Sequence, residues 1–250
     1  MKIKTLPLII CVVITFCISS CTTIENRKKR ATSIRTVGEE YINKGNYTAA
    51  LRELLKAKEI YSKDPFLQYD LGLVYMAKGK YSMAIDCFKK AIDLKSDYST
   101  AKNDLGVTYM ASNQLDEAIA CFKEVSNDLL YFTPHFPLSN MGWAYYYKKD
   151  YKTAEQYFSQ AIMHQPDFIQ AHRGLALTYI ATGKTSEAIA QLEKGIKISP
   201  EFAILYYDLA KAYETTGKNK KALNSYRKVF ELMPDSQEAK DAENKIRTLQ

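Results

Sequence analysis

Tyr41, Tyr75, Tyr109, Tyr145, Tyr179 and Tyr213 follow one another at intervals of 34, 34, 36, 34 and 34 residues. Ala50, Ala84, Ala118, Ala154, Ala188 and Ala222 keep the same intervals, and so do Leu54, Phe88, Phe122, Phe158, Leu192 and Tyr226. The pairs Val37-Gly38, Leu71-Gly72, Leu105-Gly106, Met141-Gly142, Leu175-Ala176 and Leu209-Ala210 form a further column. A period of this length means that each repeat is one small supersecondary unit. Such a unit cannot bury its apolar face alone and must stack on its neighbours.

Each column has a packing reason. Leu71, Gly72 and Tyr75 share one face of a first helix, where the missing side chain at Gly72 admits a second helix; Gly106 and Gly142 stand at the same place. Ala84, Phe88 and Ala91 make the facing stripe of the second helix, with Ala118 and Ala154 as equivalents of Ala84. Gly45, Gly79, Gly183 and Gly217 supply the left-handed residue that ends the first helix, and Asn113 replaces them in the third unit. The fourth unit has Lys149-Asp150 there, which predicts a less regular turn. Pro166, Pro200 and Pro234 close later second helices, Ser62 and Ser96 stand at the same spacing, and Asp64-Pro65 reads as an N-cap and first helical position.

These columns resemble the tetratricopeptide repeat, a helix–turn–helix of 34 residues. The resemblance implies an all-α fold: a right-handed superhelical solenoid of six tetratricopeptide-type hairpins over residues 31–235. The tryptophan of that pattern is missing, and Gln68, Lys102, Leu138, His172 and Tyr206 stand in its place. Residues 236–250 carry Ala239, Ala242, Ile246 and Leu249 on one stripe of a polar helix, the signature of a terminal cap.

The extra residues of the long interval fall in an irregular link, residues 126–137, whose two prolines and missing helical period predict extended chain. Leu129, Leu130, Tyr131, Phe132 and Phe136 are too apolar for a solvated loop. The link therefore either packs on the repeats or presents itself to a partner.

First helices line the concave side of such a solenoid. Positions turned that way form an expected binding groove of Phe66, Tyr69, Leu73, Met76, Met110, Trp143, Tyr146, Tyr147, Leu177 and Tyr207, with Val107, Phe136 and Ile180 beside them. Trp143, Tyr146 and Tyr147 adjoin the core residues Met141 and Tyr145, and one helix cannot bury all five. An aromatic surface of this kind marks a protein interface. Relatives that grip a terminal carboxylate need a basic and asparagine set, for which Asn103 and Arg173 are the only hints, with Val107 and Leu177 in neighbouring places.

The N-terminus has its own logic. Lys2 and Lys4 precede an apolar run from Leu6 to Ile18, too short for a helix that must cross about 20 residues of hydrocarbon but suited to a signal peptide. Ile18-Ser19-Ser20-Cys21 follows and resembles a lipobox, which implies a signal peptide over residues 1–20 and lipid attachment at Cys21. Thr22 is not the acidic residue that favours retention at the inner membrane, so the expected location is the periplasmic face of the outer membrane, inner-membrane retention being the alternative.

The formal charge is +7, to which Lys2 and Lys4 contribute. Much of the excess lies in a basic tether, residues 21–35, where Arg27, Lys28, Lys29, Arg30 and Arg35 face Glu25 alone. That local run suits anionic head groups better than nucleic acid, which calls for a basic folded face. Cys87 and Cys121 occupy equivalent places on neighbouring hairpins about 8–10 Å apart, beyond disulfide reach, and read as buried small hydrophobes.

No metal-ligand spacing involves His135, His164 or His172, and no phosphate loop or nucleophile elbow appears. No catalytic residue, metal or cofactor is expected. The lipobox, tether and repeats, with YFTPHFPLSNMGWAYY opening the fourth unit, resemble the type IV pilus biogenesis lipoproteins, the secretin pilotins. That resemblance implies a membrane-anchored scaffold that binds secretin subunits or a peptide segment of them. A periplasmic scaffold for another envelope complex is the alternative.

Overall fold

A computed structural model describes residues 6–128 and 130–249, and for residues 6–22 the course of the helix without the side chains. The described residues contain thirteen α-helices and no strand. Twelve form successive first and second helices: α1 (Leu6–Asn43) and α2 (Tyr47–Ile60), α3 (Pro65–Ala77) and α4 (Tyr81–Leu94), α5 (Ser99–Ala111) and α6 (Leu115–Ser126), α7 (His135–Tyr147) and α8 (Tyr151–His164), α9 (Ile169–Ala181) and α10 (Thr185–Ile198), α11 (Ala203–Thr215) and α12 (Asn219–Leu232). Helix α13 (Gln237–Leu249) follows. The chain divides into two compact units, Met1–Ser112 and Asn113–Gln250.

The repeat columns form the cores of both units. Ala50, Leu54, Leu71, Ala84 and Phe88 are completely buried in the first, and Ala118, Phe122, Ala154, Phe158, Leu192 and Tyr226 in the second. Close approach explains the glycines. A Cβ at Gly72 would lie 2.6 Å from the Phe88 ring, and one at Gly142 would lie 2.7 Å from Phe158. Gly106 is buried as well. Helix α13 buries Ala239 and Ala242 completely, with Ile246 and Leu249 packed on the same cluster. It thus covers the apolar edge that the last hairpin would expose.

The helix ends follow local chemistry. Asp64 accepts a hydrogen bond from the Phe66 amide at 2.9 Å, with Pro65 opening α3. The second helices α8, α10 and α12 stop just before Pro166, Pro200 and Pro234. Between first and second helices, Gly79 has φ 68° and Asn113 φ 62°.

The fourth turn departs from the sequence expectation, because it is as regular as the others. Lys149 adopts φ 63°. Its amide donates to the Tyr146 carbonyl at 2.9 Å and the Asp150 amide to Tyr145 at 3.0 Å, the same pair of bonds that Gly79 and Lys80 make to Met76 and Tyr75. Asp150 then caps α8 by accepting from the Thr153 amide at 3.2 Å. The bonds at both ends of the turn hold Lys149 in a conformation that disfavours a side chain by about 1–2 kcal/mol. Lys149→Gly should therefore raise the urea unfolding free energy by up to about 1 kcal/mol, the remainder being lost to a more flexible unfolded chain.

The basic segment also differs from a simple tether. Helix α1 runs unbroken through it, residues 23–30 are exposed, and Ala31 is the first buried side chain among those described. Arg27 donates from Nε and Nη2 to the Ile60 carbonyl at 3.0 and 2.7 Å, closing the C-terminal end of α2. Arg35 pairs with Asp70 at 3.0 Å and lies within 3.7 Å of Asp64. Two of the cations expected to face head groups are thus engaged by the fold. Cys21 lies among the residues whose side chains are not described. Cys87 and Cys121 are both thiols, but only Cys87 is buried; Cys121 is half-buried, which corrects the expectation for it.

Candidate protein-binding face

None of the ten expected groove residues is buried in the core. They fall on both units, and each set has its own geometry. In the first unit, Phe66 is 42% exposed, while Tyr69, Leu73, Met76 and Met110 are half-buried, as is Val107. Phe66 and Tyr69 meet Tyr98 at ring distances of 5.5 and 5.1 Å. The Lys95 ammonium lies 5.2 Å from the Phe66 ring and 5.0 Å from the Tyr98 ring. The Met76 sulfur lies 3.3 Å from the Thr108 hydroxyl, which donates to the Asp104 carbonyl at 2.7 Å. Tyr98 was not among the expected residues, although it belongs to an aromatic column with Phe168 and Phe202 at the starts of first helices.

In the second unit, α7 presents Trp143 and Tyr146 half-buried and Tyr147 55% exposed, while Met141 is buried. The surplus of large side chains on this helix is resolved by turning these three outward together. Trp143 lies 5.7 Å from Tyr146 and 6.0 Å from Tyr147, ring to ring. Its other side meets the buried Phe158 edge-to-face at 5.3 Å, and the Arg173 guanidinium sits 6.0 Å above it. Leu177, Ile180 and Tyr207 are half-buried on the following first helices. Tyr207 donates to Asp241 at 2.8 Å.

A polar ladder, unnoticed in the sequence, fixes these faces. Each rung joins a first helix to the next: Arg35 to Asp70 at 3.0 Å and Tyr69 to Asp104 at 2.7 Å in the first unit, Arg173 to Asp208 at 2.7 Å in the second. Burial pushes the Asp70 carboxyl up to about 6 even though Arg35 pulls the other way, and it raises Asp104 and Asp208 too. Because desolvation consumes the gain of such pairs, they serve alignment of the helices. Arg173, occupied by Asp208 and Trp143, is not placed to clamp a terminal carboxylate.

Gly174 stands in the column that holds Asp70, Asp104 and Asp208. A Cβ there would lie 2.2 Å from the Phe158 ring. Phe158 therefore packs against both Gly142 of α7 and Gly174 of α9, and Trp143 meets its ring edge-to-face.

The column that replaces the family tryptophan has a structural use. Gln68 Nε2 donates to the Ser62 carbonyl at 2.9 Å, and His172 Nε2 donates to the Pro166 carbonyl at 2.8 Å. The same repeat position thus clasps the chain just after the preceding helix in both units, and the His172 Nδ1 faces the Gln191 carboxamide at 2.9 Å.

The link is shorter than expected. Chain between helices covers 127–134, and Phe136 and Pro137 belong to α7. Leu130 is 80% and Phe132 95% exposed, whereas Tyr131 is half-buried. Leu129 lies outside the described residues. Leu130 and Phe132 thus do not pack on the repeats. Phe136 stays partly exposed while meeting Phe168 at 5.3 Å.

Profiles of the tetratricopeptide repeat match residues 65–98, 137–168, 99–126 and 203–236, and a TPR repeat profile matches 176–217. The chain is a tetratricopeptide-repeat protein. No curated protein sequence matches it. Among solved structures, this tetratricopeptide-repeat chain is similar to PilW, described as a widely conserved type IV pilus biogenesis factor, at 20% identity and TM-score 0.77 over 85% of this chain and 98% of PilW. It is similar to Pseudomonas aeruginosa PilF at 18% identity and TM-score 0.71, over 88% and 99% of the two chains. YrrB, a TPR protein with an unusual peptide-binding site, aligns at 20% identity and TM-score 0.53 over 76% and 97%. These likenesses concern the fold.

Proposed function

We propose that this chain is a lipid-anchored, non-catalytic scaffold that binds subunits of the type IV pilus secretin and promotes their assembly in the outer membrane. The observation that carries the reading is the outward aromatic group of Trp143, Tyr146 and Tyr147, packed together on α7 over the buried Phe158. Aromatic side chains of this kind anchor protein interfaces. The resemblance to the pilus lipoproteins and the full-length fold likeness to PilW and PilF support the choice of partner. A general scaffold for another envelope complex would use the same face for a different protein.

Anchoring and binding are tested separately. Cys21→Ser should abolish labelling by a palmitate analogue and leave the precursor unprocessed, because only a thiol can form the thioether. Label retained by the serine variant would refute the lipoprotein reading. Purified chain should also retain secretin subunits in a pull-down, and a folded chain that does not would refute the partner.

A further inference from the structure

The first unit carries a cleft that the groove does not include. It lies between α1 and the end of α2, has a volume of about 360 Å³, and is lined by Ile24, Arg27, Lys58, Ile60, Tyr61 and Lys63 together with Glu59 and Ser62. Ile24 is 52% exposed and stands three residues beyond Cys21. Arg27 spends two donors on the Ile60 carbonyl, and a guanidinium has five N–H groups, so donors remain for a ligand. Lys28, Lys29 and Arg30 continue the positive surface along exposed α1, with Glu25 as the acidic residue among them. Cations and an apolar floor therefore meet at the end of the chain where a lipid would be attached.

We propose that this cleft seats the head group of an anionic phospholipid, so that the first hairpin lies against the bilayer. The proposal rests on the lipid-anchored reading above and goes beyond a flexible tether. Lys58 and Lys63 come from α2 and its following loop, so the fold itself, and not the basic run alone, meets the membrane. A phosphate takes the Arg27 and lysine donors, while Ile24, Ile60 and Tyr61 face the glycerol and upper acyl region. Contact at both α1 and α2 fixes the orientation of the unit, which a single tether cannot do.

The test uses the full lipidated chain in vesicles of phosphatidylcholine alone or of phosphatidylcholine with phosphatidylglycerol, with the rate of lysine acetylation read residue by residue. Labelling of Lys58 and Lys63 should slow roughly fivefold on the phosphatidylglycerol vesicles, in line with the attraction of one basic residue to an anionic surface, and recover at high salt. Lys197 and Lys221 in the second unit serve as internal references. Equal labelling on both vesicle types, with the chain still vesicle-bound, would overturn the cleft and leave the anchor intact. A chain that binds neither vesicle would overturn both. Equal slowing by inorganic phosphate in free solution would overturn the bilayer contact.

Discussion

Phe158→Ala should lower the stability of the second unit by about 3–5 kcal/mol, the range for emptying a buried aromatic site. Phe158 is completely buried, lies within 2.7 Å of a Cβ built on Gly142 and 2.2 Å of one built on Gly174, and supports Trp143 from below. Gly174→Leu should cost about 1–3 kcal/mol by overpacking the same crossing. The double variant discriminates the mechanism, since the new leucine can fill part of the void. Urea unfolding should give it a loss clearly smaller than the sum of the two single losses. Simple additivity would mean that the two positions do not share a space.

Trp143→Ala with Tyr147→Ala should weaken capture of a secretin subunit by about 30-fold, equivalent to about 2 kcal/mol. Tyr147 is largely exposed, so its loss alone should leave the unfolding midpoint unchanged and shift affinity only. Trp143 also rests on Phe158, and its truncation should cost some stability; the Tyr147 variant is therefore the cleaner reagent. Trp143 is the one tryptophan of the chain, so its fluorescence reports this face directly. Titration with a secretin segment should shift its emission to shorter wavelength as water leaves the ring. An unchanged spectrum at saturating partner would place the interface elsewhere.

How much of this was legible in the sequence depended on whether a feature repeats. The tyrosine, alanine and glycine columns exposed the hairpins because every unit solves the same packing problem, and the turn glycines and Asp64-Pro65 revealed the helix ends. The regularity of the fourth turn is not legible in its residue types, because the hydrogen bonds around Lys149 hold the left-handed backbone without glycine. The ladder was missed because its rungs join unlike residues, Arg35 to Asp70 and Tyr69 to Asp104, one repeat plus one residue apart. Gly174 is hidden for the related reason that its column mixes residue types, Asp70, Asp104, Asn140 and Asp208. Incomplete burial of Trp143, Tyr146 and Tyr147 could be argued from crowding on one helix. The fate of the link could not, since Leu130 and Phe132 stay outside while Tyr131 is half-buried, and nothing periodic separates them.

The central claim concerns what this face does in the cell, and secretin assembly reads it most directly. In a strain lacking this protein, immunoblotting should show the pilus secretin as monomer, with the heat-resistant multimer band lost and restored by the wild-type chain but not by the Trp143→Ala, Tyr147→Ala variant at equal abundance. A multimer band of wild-type intensity in the deletion strain would contradict the account.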